Sequence, residues 1–390
     1  MFKNRYLAPY IVDDLKEKMV FLGGPRQVGK TTLAKDVISG CFAHALYFNW
    51  DKRENQRQIL SGVWPAGTDL IILDELHKYP KWKSFIKGEY DTRKSGMAFL
   101  VTGSARLDTY RKGGDSLQGR YHYYRLHPFS LAELHASKPT QMAGAALEFG
   151  SSFHPVTLKE LLQFGGFPEP LLRQNENTLR RWQNERVERM CQEDIRDLEP
   201  LRDIGNFRLL TTLLPDRVGS LLSLNSMRED LQVTHRSVSH WMDILEAFYY
   251  QFRIYPFTSH TIRSLKKEPK LYLWDWSEIS GTGARFENLV ASHLLKYVHF
   301  LKDQEGYKAD LHFVRDADKR EVDFLVTLSG KPWFLCEVKS ENTGISQSLM
   351  YFKQRLNVPF AYQVVSKEHV DMENQDVRVI SASKFLTALI

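Results

Sequence analysis

The sequence predicts an α/β protein whose N-terminal part is a doubly wound parallel sheet, and three observations carry that expectation. Met19-Val20-Phe21-Leu22, Leu70-Ile71-Ile72-Leu73 and Met97-Ala98-Phe99-Leu100-Val101 are short apolar runs of the kind buried on both faces of a sheet. Helix-like stretches alternate with them. The first run leads into a glycine-containing loop that opens the first helix, where such a sheet places its ligands.

That loop, Gly24-Pro25-Arg26-Gln27-Val28-Gly29-Lys30-Thr31, fits the phosphate-cradling pattern G-x-x-x-x-G-K-[ST], with a helix expected from Thr32 to Ile38. Glycine is needed where backbone must approach an anion. The loop N–H groups and the positive helix end would face the phosphates of ATP, Lys30 would reach the β- and γ-phosphates, and the Thr31 hydroxyl would ligate Mg²⁺. Ala45–Asp51 reads as a second strand and Leu70–Glu75 as a third, ending in two carboxylates. Four apolar residues before Asp-Glu make a Walker B pattern: Asp74 would hold Mg²⁺ through water, and Glu75 would orient or polarise the water that attacks the γ-phosphate. The strand between the two motifs and the adjacent glutamate distinguish ATPases with a catalytic glutamate from simple kinases. Met97–Ser104 is a further strand ending in small polar residues, with Ser104 the first candidate for sensing the γ-phosphate and Thr102 the second. Tyr121–Leu126 is another, followed by a helix over Leu131–His135.

A chain of 390 residues with 43% hydrophobic and 26% charged residues is expected to form two or three globular domains, not a fibre or a disordered chain. Lysine plus arginine (53) exceed aspartate plus glutamate (47), and the net charge of +6 is compatible with a polyanionic partner. Cys41, Cys191 and Cys336 match neither a disulfide framework nor a CxxC metal site. With no signal-peptide pattern and no run of eighteen apolar residues, the expected location is the cytoplasm, without a membrane span.

Several stretches together resemble a family of prokaryotic AAA-type ATPases, related to the STAND signalling ATPases, that carry a C-terminal domain of unknown function. They are Gly24–Leu33, Leu73–Pro80, Thr102–Arg106, Gly119–Tyr121 and Leu126–Leu134, and the resemblance extends over nearly the whole chain. It implies that Phe164-Gly165-Gly166-Phe167-Pro168-Glu169 lies in a helical lid, with Pro168 in the element that approaches adenine. Read from its residues alone, that stretch is a turn punctuated by glycine and proline.

Arg180–Leu198 reads as a long charged helix with Trp182, Val187, Met190, Cys191, Ile195 and Leu198 along one face. An arginine acting in trans within a homo-oligomer could lie among its basic residues; Arg106 and Arg120 are better placed to meet phosphate. Met227–Leu231 and Arg236–Glu246 have helix-turn-helix spacing, and Tyr249–Pro256 with Lys270–Leu273 would form a wing. DNA contact is expected through Arg236, Ser237, Ser239 or His240 and the wing lysines Lys266 and Lys267. The resemblance supports a winged helix through Pro269–Leu273, although Trp274-Asp275-Trp276-Ser277 stands where the family has an Asp-x-Gly turn. Winged helices also bind proteins, so both readings remain open.

In the C-terminal third, a helix over Arg285–Tyr297 carries Glu287, the strand Glu321–Val326 carries Asp323, and the strand Trp333–Lys339 carries Glu337 and Lys339 on one face. Asp323, Glu337 and the nearby Glu287 would hold a divalent ion, while Lys339 would position the attacking water or steady the pentavalent phosphate. The arrangement D…E-x-K resembles the PD-(D/E)xK nucleases, with Val322 where proline usually precedes the aspartate. A later helix (Gln347–Leu356) and strands Ala361–Val365 and Val377–Ile380 extend the likeness. The expected architecture is therefore a P-loop ATPase sheet (1–140), a helical lid and linker helix (141–200), a winged-helix module (201–280) and a restriction-endonuclease-like α/β domain (281–390). DNA cleavage and a catalytically silent fold that binds a protein partner are both consistent with it.

Overall fold

The computed structural model describes residues 5–93, 96–104, 117–136, 141–190, 203–258, 267–340 and 344–390. The chain forms two compact units, one built on Met1–His127 and the other on Pro128–Glu193, Leu201–Glu246 and Tyr250–Ile390.

The first unit runs α1 (Ala8–Asp14), β1 (Met19–Gly23), α2 (Lys30–Thr32, continuing as a π-helical segment over Leu33–Ile38), β2 (Ala45–Asn49), α3 (Arg53–Ser61), β3 (Leu70–Asp74), α4 (Trp82–Thr92), β4 (Ala98–Gly103) and β5 (Tyr121–Arg125). Its strands pair in the order β2-β3-β4-β1-β5, all parallel. Parallel strands need helices on both faces, which is why β1, β3 and β4 are buried at every position. On one face the alternate residues Met19 and Phe21, Ile71 and Leu73, and Phe99 and Val101 pack with Trp82 and Ile86 of α4. The order places β4 between β1 and β3, with Gly23 paired to Gly103 and Asp74 to Thr102. The ends of the three apolar strands thus come together at one edge, beside the loop that follows β1.

The second unit begins with α5 (Leu131–Leu134), α6 (Pro155–Phe164), α7 (Pro168–Arg173) and α8 (Glu176–Arg189). The expected long helix is thus observed over Glu176–Arg189, and its continuation from 191 to 198 lies outside the described residues. Then come α9 (Ile204–Leu213), α10 (Leu224–Leu231), α11 (His235–Ala247), β6 (Gln251–Pro256), β7 (Lys270–Leu273) and the 22-residue α12 (Thr282–Asp303). The chain finishes with β8 (Ala309–Arg315), β9 (Glu321–Leu328), β10 (Lys331–Lys339), α13 (Gln347–Arg355), β11 (Phe360–Val365), β12 (Asp371–Asn374), β13 (Val377–Ser381) and α14 (Ala382–Thr387).

β6 and β7 form the expected antiparallel pair, yet they are not a free-standing wing. Tyr255 and Pro256 of β6 pair in parallel with His312 and Phe313 of β8, so the hairpin extends a mixed eight-stranded sheet, β12-β13-β11-β10-β9-β8-β6-β7. The departure at Trp274–Ser277 costs no turn: the buried Asp275 side chain accepts from Ser277 N (3.1 Å) and Oγ (2.7 Å) and caps a 3-10 turn, Trp276–Glu278. An Asx cap of this kind needs no left-handed residue, which removes the demand for glycine. Among the described residues no helix is long and apolar enough to cross a membrane.

Candidate functional site

The loop after β1 is built for an anion. Gly24 has φ +150°, and a Cβ there would lie 2.5 Å from the Leu126 carbonyl oxygen. Gly29 has φ +99° as the cap of α2, and Gln27 is also left-handed at φ +60°. Both glycines thus answer a backbone demand, and the loop leads directly into a helix N-terminus. Lys30 is buried, its Nζ donating to the carbonyls of Gly24 and Pro25 at 2.8 Å each, which holds the ammonium inside the loop it closes. Arg5 braces the loop from outside the motif by donating to Val28 O at 2.8 Å and to His127 O.

Asp74 ends β3 buried among three hydroxyls. Thr31 Oγ1 and Tyr47 OH donate to its Oδ2 at 2.9 and 2.7 Å, and Thr102 donates to Oδ1. The predicted pair of magnesium residues, Thr31 and Asp74, is therefore in contact, an arrangement that suits an ion bound beside the phosphates. Thr102, a candidate sensor, serves the aspartate; Ser104, the other, donates to Glu75 Oε2 at 3.2 Å. Glu75 has φ +58°, and its N–H is held by the Thr102 carbonyl at 2.9 Å. A left-handed non-glycine residue at a site stores about 1–3 kcal/mol of backbone strain, held here by the β3–β4 pairing. Burial raises the Glu75 carboxyl above its ordinary range, with Lys30 opposing and Asp74 reinforcing the shift. That combination suits a proton acceptor better than an exposed glutamate would be.

Tyr47, His77 and Arg5 escaped the sequence reading. Tyr47 belongs to β2 and reaches Asp74 only because β2 lies next to β3, while His77 is buried with its Nε2 3.7 Å from Glu75 Oε2. Burial, then the positive charges of Lys78 and Lys30, push His77 down to about 3, so it is neutral near pH 7. The Leu73–Pro80 run contained this histidine, but nothing in its spacing distinguished it from a core residue. We expect Tyr47→Phe to weaken Mg²⁺-dependent nucleotide affinity by about 1.5–3 kcal/mol, the worth of a hydrogen bond to a charged group. Calorimetric titration with and without Mg²⁺ checks this; an equal loss in both would show that Tyr47 does not act through Asp74.

Other predicted positions fall differently. Arg120 is engaged by Asp91, at 2.8 Å from Nε and 3.1 Å from Nη2, while Arg106 and Lys266 lie outside the described residues. Pro168 is the first residue of α7 in the second unit, and Thr32 closes the first turn of α2. Arg236 and Lys267 are exposed.

The second unit gathers its own acidic group. Asp323 and Glu337 lie on neighbouring strands one step beyond the paired Phe324 and Cys336, and Asp323 N–H faces Glu337 Oε2 at 3.4 Å while Val338 N–H donates to Asp323 Oδ2 at 2.9 Å. Glu287 of α12 joins them. Burial first, then the Asp323 charge, raises the Glu287 and Glu337 carboxyls to about 7. Glu287, Asp323 and Glu337, the expected metal residues, share this pocket with two lysine ammonium groups. Lys270 of β7 places its ammonium 3.5 Å from Glu287 Oε1, 2.7 Å from Glu321 Oε1 and 3.4 Å from Asp323 Oδ1. Lys339, expected to position a water, is itself paired with Glu337 Oε1 at 2.7 Å. Among the described residues no group of three or more His, Cys, Asp or Glu side chains is arranged to hold a metal ion.

Comparison with known proteins follows this division. A family model described as AAA domain matches residues 16–135, and two described as Domain of unknown function (DUF8612) and Domain of unknown function (DUF4143) match 156–278 and 282–385. Uncharacterized protein Rv2008c of Mycobacterium tuberculosis is 22% identical over 391 residues, covering 95% of this chain and 81% of that protein. Uncharacterized protein MJ1544 of Methanocaldococcus jannaschii is 22% identical over 332 residues, covering 80% and 73%. Among solved structures, the Thermotoga maritima RuvB Holliday junction branch migration motor aligns at 17% identity and a TM-score of 0.31, covering 68% of this chain and 96% of that one. The N-terminal part of the chain is therefore similar to AAA domains, and its five-stranded parallel sheet carries the glycine-containing loop and the Asp-Glu strand end that such domains use to meet a nucleotide.

Proposed function

We propose that this chain binds ATP with Mg²⁺ and hydrolyses it, and that its nucleotide state governs the contacts of the second unit with DNA. The observation that carries the first part is the joining of Thr31 to Asp74, with Glu75 next along the same strand end. Bound Mg²⁺ supplies positive charge against the phosphates. Lys30 and the loop N–H groups hold the phosphate chain, Thr31 and Asp74 hold the ion, and Tyr47 and Thr102 keep the Asp74 carboxylate aimed. Glu75 takes the proton of the attacking water, and Ser104 keeps that carboxylate in place. Phosphate release from ATP by the purified chain, dependent on Mg²⁺ and lost in Lys30→Ala, tests the reading; no release above background would overturn it.

The DNA part is supported by the exposed face of α11, where His235, Arg236 and His240 project, and by Lys267 before β7. These groups suit phosphates more than base edges. Binding to a labelled duplex is therefore expected to fall steeply with salt, the logarithmic slope losing about 0.9 for each phosphate contact removed, so that Arg236→Ala flattens it. An affinity indifferent to salt, or no binding at all, would make this face a protein-docking module. For the remainder of the second unit, the place of Lys270 favours the silent, partner-binding reading over DNA cleavage.

A further inference from the structure

The pocket expected to receive a divalent ion already contains a cation supplied by the chain. We infer that Lys270 is a built-in counterion that occupies the carboxylate pocket of Glu287, Glu321 and Asp323, making this nuclease-like arrangement a metal-free latch for the β6–β7 hairpin. The inference stands apart from the ATPase reading, and its test needs no nucleotide.

Three observations carry it. First, the Lys270 side chain is only 3% exposed, and its ammonium lies within 3.5 Å of carboxylates from two further elements, Glu287 on α12 and Glu321 and Asp323 on β9. Oxygen ligands of Mg²⁺ or Ca²⁺ stand at about 2.0–2.6 Å, so an ion using these oxygens would have to displace the ammonium. Second, further donors engage these carboxylates. Arg315 Nη1 takes Glu321 Oε2 at 2.6 Å, Val338 N–H takes Asp323 Oδ2 at 2.9 Å, Lys339 takes Glu337 Oε1 at 2.7 Å and Tyr272 OH adds a bond to Glu287 Oε1 at 2.7 Å. Lys270, Lys339 and Arg315 thus supply three positive charges against the four carboxylates of Glu287, Glu321, Asp323 and Glu337.

Third, the strand that carries the ammonium is itself anchored on both sides. Lys270 pairs with Ile254 of β6 and bridges Leu221, and the Asn288 side chain on α12 clasps Leu273 from both sides, accepting from its N–H and donating to its carbonyl at 2.7 Å each. The acids therefore fasten the hairpin strand to the long helix and the central sheet, and a buried ammonium left without them would be strongly unfavourable.

The test is Mn²⁺ binding by electron paramagnetic resonance on the full chain without nucleotide, paired with thermal melting. The wild-type chain is expected to show no Mn²⁺ site that disappears in Asp323→Asn, at concentrations up to about 1 mM, the weak end of protein sites for such hard cations. Lys270→Gln, which leaves the acids short of one positive charge, is expected to gain a Mn²⁺ site and to melt at a higher temperature with Mn²⁺ than without it; wild-type melting should not respond through Asp323. A wild-type Mn²⁺ site abolished by Asp323→Asn or Glu337→Gln would overturn the inference, as would a folded Lys270→Gln chain that gains none. Should Lys270→Gln fail to fold, the comparison of wild type with Asp323→Asn still decides.

Discussion

Glu75→Gln is expected to bind ATP with Mg²⁺ as the parent chain does and to hydrolyse it on the order of 10²–10⁴ times more slowly, the usual contribution of a positioned general base. The amide has the shape of the carboxylate and can keep the bond from Ser104, now 3.2 Å to Oε2, but it cannot take a proton from water. The backbone is already committed to φ +58° with its N–H on Thr102 O, so the substitution disturbs chemistry more than geometry. The pH profile gives an independent readout. A base works only when deprotonated, and burial with the nearby Asp74 holds the Glu75 carboxyl above its ordinary range. The rate should therefore climb with pH through that raised value, at a higher pH than for an exposed glutamate, and the limb should vanish in Glu75→Gln. Steady-state phosphate release checks both; a parental rate in the variant would remove Glu75 from the mechanism.

Lys30→Ala is expected to lose nucleotide binding altogether at concentrations that saturate the parent chain. Its ammonium is buried 2.8 Å from the carbonyls of Gly24 and Pro25, already inside the loop that would wrap the phosphates. A hydrogen bond to a charged group is worth about 1.5–3 kcal/mol, so one lost phosphate contact alone weakens binding about 10- to 100-fold, before the missing charge is counted. Alanine also leaves two loop carbonyls without their donor, and melting curves are needed to separate lost affinity from lost structure. Lys30→Met, which keeps most of the buried stem, should melt near the parent and still fail to bind. Unchanged affinity of a fluorescent ATP analogue for either folded variant would displace Lys30 from the site.

The two units were legible to different depths. In the first, every strand expected from an apolar run appears within a few residues of its predicted ends, Ala45–Asn49 for the expected 45–51 and Tyr121–Arg125 for 121–126. Strands buried on both faces must be apolar throughout, and that signal is written in consecutive residues. Helices were harder. The helix expected from Thr32 to Ile38 starts at Lys30 and becomes π-helical from Leu33, a change of hydrogen-bond pattern without a composition signature. In the second unit β9, β10 and β11 were expected, whereas β8 (Ala309–Arg315) was not, although Ala309, Leu311 and Phe313 alternate with Asp310 and His312 before Val314 breaks the pattern. The winged hairpin was expected as a separate module, but β6 joins β8, because an exposed strand edge can be satisfied by any strand the fold brings beside it.

By itself the sequence determined the loop and the acidic strand end of the proposed nucleotide site. Gly24 to Thr31 are contiguous, so loop, charge and helix N-terminus arrive together once the local backbone folds, and Asp74 with Glu75 end a strand whose apolar run demands burial beside it. Tertiary structure alone decided what surrounds those groups and which side chains meet in the second acidic cluster. Tyr47 meets Asp74 from 27 positions away through the pairing of β2 with β3, and Lys270 meets Glu287 and Asp323 across 17 and 53 positions. A lysine at the start of a short strand carries no mark of the carboxylates it will neutralise. Only the sheet order and the packing of α12 bring them within ion-pair distance.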